Sequence, residues 1–127
     1  SDGLMKVSAL TVIAGTMGPQ TATLTLDIDG QSKTVQATGN GPVDATFNAI
    51  KMLVPHDARL DLYQVHAVTE GTDAQAEVSV RLEEDGRMVT GRSADPDTLV
   101  ASARAYVAAL AKLVVKRQKL AQAQQAV

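Results

Sequence analysis

The chain has 127 residues and a formal net charge of −2, with 12 Lys and Arg against 14 Asp and Glu. That length suits a single domain able to bury a core, and the charge excludes the basic face a nucleic-acid binder needs. Cysteine is absent, which removes disulfides and thiolate chemistry and fits the cytoplasm, and the only aromatics are Phe47, Tyr63 and Tyr106, so the core must be Val, Leu, Ile, Ala and Met. No apolar run reaches the roughly 18 residues of a membrane span, and no signal peptide is visible. The opening Ser1-Asp2-Gly3 is expected to be a cut from a longer chain.

Residues from about 4 to 15 read as a first strand. Residues 21–28 alternate, with Ala22, Leu24, Leu26 and Ile28 on one face and Thr21, Thr23, Thr25 and Asp27 on the other, the pattern of a half-buried strand. Asp29-Gly30 follows, a two-residue hairpin signal, because a type I′ turn needs positive φ at both positions. A third strand is expected near 32–38.

The chain then passes through Gly39-Asn40-Gly41-Pro42-Val43-Asp44-Ala45 into a helix. Pro42 suits the first helical position, where its missing N–H would go unpaired anyway. Gly39 and Gly41 allow another group to come close to the backbone. The free N–H groups of the first turn, with the helix dipole behind them, attract a carboxylate or phosphate. Asp44 suits the same dipole and competes with such an anion. Val43, Phe47, Ile50 and Val54 then form one apolar stripe, and Pro55 ends the helix.

Shifted by 56, the sequence matches itself: Leu4 falls on Leu60, Val12 on Val68, Gly15-Thr16 on Gly71-Thr72, Leu26 on Leu82, Asp29-Gly30 on Asp85-Gly86, and Ala45 on Ala101. The register is read as gapless. A second alternating strand carries Val78, Val80 and Leu82, a strand near 87–92 follows Asp85-Gly86, and Leu99, Ala103, Tyr106 and Leu110 repeat the helical stripe. The expected fold is α+β, two βββα units related by a pseudo-twofold axis, with antiparallel sheets packed with two helices. The units are 4–55 and 60–120, and 121–127 is expected to fray. One unit alone buries too little surface to be stable. The symmetry would bring the helix starts at 39–44 and 95–99 to the two sides of one pocket.

A catalytic set is missing. His56 and His66 are the only histidines and lack metal-ligand spacing, and the carboxylates at Asp27, Asp29 and 83–85 flank turns. Asp95-Pro96-Asp97 opens the second helix. Its carboxylates serve as N-caps, or one faces a ligand's ammonium while the first helix faces its carboxylate. Val43, Leu60, Tyr63 and Ala67 are either core or the wall of a pocket for an aliphatic side chain.

The run 39–45, then Tyr63, then Thr69-Glu70-Gly71-Thr72-Asp73-Ala74-Gln75, then Val78-x-Val80 and Ala101-Ser102-Ala103-Arg104-Ala105-Tyr106, resembles the C-terminal regulatory domain of 2-isopropylmalate synthase. The related domain of citramalate synthase is similar. The resemblance spans about residues 4 to 113. It implies two βββα units that bind an end-product amino acid, leucine or isoleucine, inhibit a distant (β/α)₈ barrel and help form a homodimer. The barrel, with its divalent metal and its condensation of acetyl-CoA with 2-oxoisovalerate, lies outside this chain, so no catalysis and no cofactor are expected here. By the same resemblance Gly39, Gly41, Val43 and Asp44 lie at the effector, Leu60, Tyr63, Ala67 and Ala74 line its aliphatic side chain, and Asp95, Pro96 and Thr98 form the second helix start. Ser93 and Ala111 depart from it, standing where many members have glycine and asparagine. The alternatives are an isoleucine-sensing domain, a ligand-free dimerisation module, and a small stand-alone enzyme, which lacks its acid, base or metal set.

Overall fold

The computed structural model describes residues 4–70 and 73–125. Eight elements follow in the order β1 (Met5–Ile13), β2 (Gln20–Ile28), β3 (Gln31–Gly39), α1 (Pro42–Leu53), β4 (Arg59–Glu70), β5 (Asp73–Glu84), β6 (Arg87–Asp95) and α2 (Thr98–Gln125). Two antiparallel three-stranded sheets form, β1-β2-β3 and β4-β5-β6. The α+β fold of two βββα units is therefore as the repeat implies.

Local chemistry sets the turns. Asp29 and Gly30 have φ of 51° and 81°, and Asp85 and Gly86 have 52° and 79°, so both hairpins take the left-handed pair that Asp-Gly favours. The alternation in β2 and β5 sends Ala22, Leu24, Leu26, Val78, Val80 and Leu82 inward, all fully buried. Each helix covers its own sheet, α1 on β2 and β3 and α2 on β5 and β6. α2 also packs on β1 and against α1, so the two units share one core.

The repeat is not gapless. Val7 pairs with Leu26, and Leu60 pairs with Leu82. Since Leu26 and Leu82 are 56 apart, the first strands correspond at a shift of 53. The β-bulges agree, falling at Ser8 between Val7 and Ala9 and at Asp61 between Leu60 and Leu62. Leu60 is thus the counterpart of Val7, not Leu4, and the hairpin joining the first two strands is three residues longer in the second unit. From β2 and β5 onward the shift of 56 holds. Thr46 and Ser102, 56 apart and fully buried, each donate to the carbonyl four residues back, Pro42 and Thr98, at 2.7 Å.

The second helix is more than twice the length of the first. Expected to fray after Leu120, it stays helical to Gln125, in a stretch of Ala and Gln, both good helix formers; residues 126–127 lie outside the described set. α2 is also long and apolar enough to cross a membrane by length and composition, contrary to the expectation from the sequence, and half of that window is buried inside the domain. Its apolarity is that of a core helix, rich in alanine because it lies close to the sheet. Gly91 sets that closeness. A Cβ there would stand 2.1 Å from the Ala105 carbonyl oxygen and 2.5 Å from the Ala109 nitrogen. The corresponding position in the first unit is Val35, which carries a side chain.

Phe47, Tyr106 and Tyr63 meet where the units join. The Phe47 ring centroid is 4.6 Å from Tyr106 and 5.5 Å, edge-on, from Tyr63. His56, in the α1–β4 connection, has Nδ1 2.8 Å from the Val54 carbonyl and Nε2 2.8 Å from the Tyr106 hydroxyl. A carbonyl only accepts, so Nδ1 carries the proton. This pair ties the connection to α2. A bidentate contact between Glu84 and Arg117 ties the β5–β6 turn to the same helix, and the guanidinium holds the Glu84 carboxyl below its ordinary value.

Gly91→Ala should lower the unfolding free energy by about 1–3 kcal/mol in chemical denaturation, because backbone rather than a flexible side chain occupies the space. Burial pushes the Tyr106 hydroxyl up to about 12. The unfolded chain ionises this group near pH 10 while the folded chain keeps it neutral. Stability should therefore fall from about pH 10 to pH 12 by up to about 1.4 kcal/mol per pH unit from this residue, a loss that Tyr106→Phe removes.

Candidate functional site

The two helix starts are built differently. α1 begins at Gly41, in extended backbone, with Pro42 in the first turn and no side chain capping it. Asp44 instead turns back and accepts the Asn40 N–H at 2.9 Å. Its charge is engaged locally, bracing the turn that leads into the helix. Gly39 is also explained by packing: a Cβ there would lie 2.4 Å from the Ala45 nitrogen. Gly41 is the reverse case, since among the described residues a Cβ there would meet nothing within 4 Å. The open approach to the backbone at this turn is at Gly41.

α2 begins on carboxylates. Asp97 accepts the N–H groups of Leu99 at 2.8 Å and Val100 at 3.3 Å. Asp95 accepts the Asp97 N–H and holds Arg104, both at 2.9 Å. This start is capped by its own carboxylate, whereas the first-turn N–H groups of α1 have no side-chain cap, its one first-turn carboxylate, Asp44, being turned back to Asn40. Pro96 and Thr98 are exposed beside it.

One side chain bridges the two helices. Tyr63 reaches from β4 to Phe47 of α1, and its hydroxyl lies 2.7 Å from Ser102 of α2. Ser102 gives its only proton to the Thr98 carbonyl, so Tyr63 donates to Ser102. Phe47 and Ser102 each sit in the second turn of their helix. Both starts therefore lie about one turn, roughly 5 Å, from contact with the same ring.

Register decides which other residues share this region. Tyr63, Val65 and Ala67 lie opposite Val80, Val78 and Ala76, on the inner face of the sheet. Asp95, just before α2, also pairs with Ala76. Ala67 is exposed and Val65 is 44% exposed, so this edge strand offers an accessible apolar strip beside the start of α2. Val65 is missing from the sequence-based set, although the alternation Tyr63, Val65, Ala67 points to it. Ala74 is exposed further along the same face. Leu60 falls at the other end. It pairs with Leu82, eight residues of β5 away from Ala74, or about 26 Å. A small amino acid cannot touch both, and Leu60 does not belong with the helix starts. Val43 is half-buried on α1. Glu70 and Asp73 belong to strands whose side chains are undescribed there, and Gly71-Thr72 lies outside the described residues.

None of the site residues expected from the sequence lines a groove of about 870 Å³ between β1, β6 and α2, although Arg104, the partner of Asp95, does. Ser93 and Ala111, the two departures from the resemblance, both line that groove. Among the described residues no group of three or more His, Asp or Glu side chains is placed to hold a metal.

Comparison with known families gives a match over residues 1–114 to the LeuA allosteric (dimerisation) domain. The chain belongs to this family. A 2-isopropylmalate synthase of Bradyrhizobium diazoefficiens is 71% identical over 115 residues, 91% of this chain and 22% of that protein. One from Rhodopseudomonas palustris strain HaA2 is 70% identical over 115 residues, again 91% and 22%. This LeuA domain thus spans about a fifth of the length of the curated relatives it matches, and the family it represents is an allosteric one and not a catalytic one.

Tyr63→Phe should cost about 0.5–1.5 kcal/mol while keeping the ring contacts. A double-mutant cycle with Ser102→Ala should return a coupling of about 1 kcal/mol, and no coupling would remove the bridge from any account of how the helices communicate.

Proposed function

We propose that this domain binds a branched-chain amino acid, leucine, and gives feedback inhibition of a 2-isopropylmalate synthase while contributing to its homodimer. The observation that carries this reading is the contrast between the helix starts: α1 uncapped and open at Gly41, α2 already furnished with carboxylates. A ligand carboxylate at the first turn of α1 and an ammonium toward Asp95 and Asp97 use that difference. The aliphatic side chain then lies on Tyr63, Val65 and Ala67, with Val43, Pro96 and Thr98 at the margins. Gly39 and Asp44 serve by shaping the α1 start.

The remainder of the longer protein would carry the reaction, the condensation of acetyl-CoA with 2-oxoisovalerate on a barrel that holds a divalent metal, in the cytoplasm. Leucine acts by linkage. It biases the barrel only as far as its affinity differs between two states of the protein, typically a coupling of about 1–3 kcal/mol. The Tyr63 bridge offers a physical basis, since a ligand at either helix start changes the packing of a ring shared by both.

Isothermal titration with leucine, isoleucine and valine tests this. Leucine should bind most tightly. Gly41→Val should weaken it at least tenfold with an unchanged melting temperature, because the added side chain enters open space. Tightest binding of isoleucine would transfer the reading to a citramalate synthase type of regulation. Absence of heat with all three would leave only the dimerisation role.

A further inference from the structure

The groove between β1, β6 and α2 has a composition unlike the rest of the surface. Lys6 comes from β1, Arg92 from β6, and Arg104, Lys112, Lys116 and Lys119 from α2; among the described residues no carboxylate lines it. Its floor is apolar, including Val7, Val89, Val107 and Ala111. The chain as a whole carries −2, so the local sign is reversed. Among the described residues, Arg104 alone of the six cations has an ion-pair partner, Asp95 at 2.9 Å. Lys112 and Lys116 donate to the Thr90 and Met88 carbonyls of β6, at 2.5 and 3.2 Å, which holds their ammonium groups at the groove without neutralising them.

The spacing of the cations limits what they recognise. Arg104 to Lys119 is fifteen residues of helix, about 22 Å. A compact anion needs cations converging on one point, whereas a row of this length over an apolar floor matches a polypeptide with carboxylates along one side. A second copy is a poor occupant, because a twofold contact here would face these cations with themselves. The relatives are more than four times longer than this domain, which covers 22% of them. We propose that the groove docks an acidic, amphipathic segment of the polypeptide outside these 127 residues, its apolar side chains on the floor and its carboxylates beneath the Lys and Arg row. This rests on the regulatory reading, since it supplies the contact through which the effector state reaches the rest of the protein.

Zero-length carbodiimide cross-linking of the full-length protein tests it, because the reagent joins a lysine only to a carboxylate in contact. Mass spectrometry should find Lys6 and Lys119 joined to Asp or Glu outside the domain, with yield falling as salt rises. The variant Lys6→Glu/Arg92→Glu/Lys119→Glu alters three side chains with no hydrogen bond among the described residues. It should lose these cross-links at least tenfold and lower the maximal inhibition by saturating leucine at least fivefold, while leucine still binds in titration. Cross-links confined to carboxylates within the domain or joining two copies, or inhibition unaltered in the variant, would overturn the proposal. Failure of leucine to bind the parent protein would instead overturn the regulatory reading, and the cross-link pattern is read independently of it.

Discussion

Burial of α2 on two sides is the constraint on which this domain depends. The helix lies against its own sheet, so closely at Gly91 that no side chain fits, and also against β1 of the first unit. A three-stranded sheet with one helix leaves much of its apolar surface in water. Sharing α2 turns two marginal units into one core, fastened by the Phe47–Tyr63–Tyr106 cluster and by the His56 tie. The alanines on α2 follow from this. A helix with a wall on more than one side must be thin where the walls are close.

Duplication supplied two similar helix starts, and local chemistry made them complementary. One has no side-chain cap and leaves backbone donors for a guest; the other fills its donors with Asp97 and holds Asp95 with Arg104. On the proposed function this difference matters, because a zwitterion needs donors at one end and a carboxylate at the other. Tyr63 has no equivalent in the first unit, where the shift of 53 places Leu10. The bridge between the helices therefore exists once, and it marks which half faces the other.

Much of the architecture was legible because it rests on short-range rules. Alternation in β2 and β5, Asp-Gly at two turns, and apolar stripes on both helices each specify a local geometry without help from the rest of the chain. The relation between β1 and β4 was not, because a bulge in each strand and three added residues in one hairpin leave enough chance identities, such as Leu4 with Leu60, to suggest a gapless match. In the site, Gly41 and the carboxylates near Asp95 were visible as helix-start chemistry. The distance of Leu60 from Ala74 follows from the strand register, which is not written in the apolar pattern that both residues share. The basic groove was invisible for a related reason. Lys6 and Arg92 lie far apart in sequence, and only the fold sets them on either side of α2.

The lysine bonds to β6 bear on assembly. An outer strand ordinarily offers its unpaired carbonyls to any extended chain that drifts by. Lys112 and Lys116 already occupy those of Thr90 and Met88, so a neighbour's strand adding here meets two acceptors already in use. A sheet running on from one copy of the domain into another across this border would first have to break both of those bonds, so a pair of flexible amines sets a cost on that route.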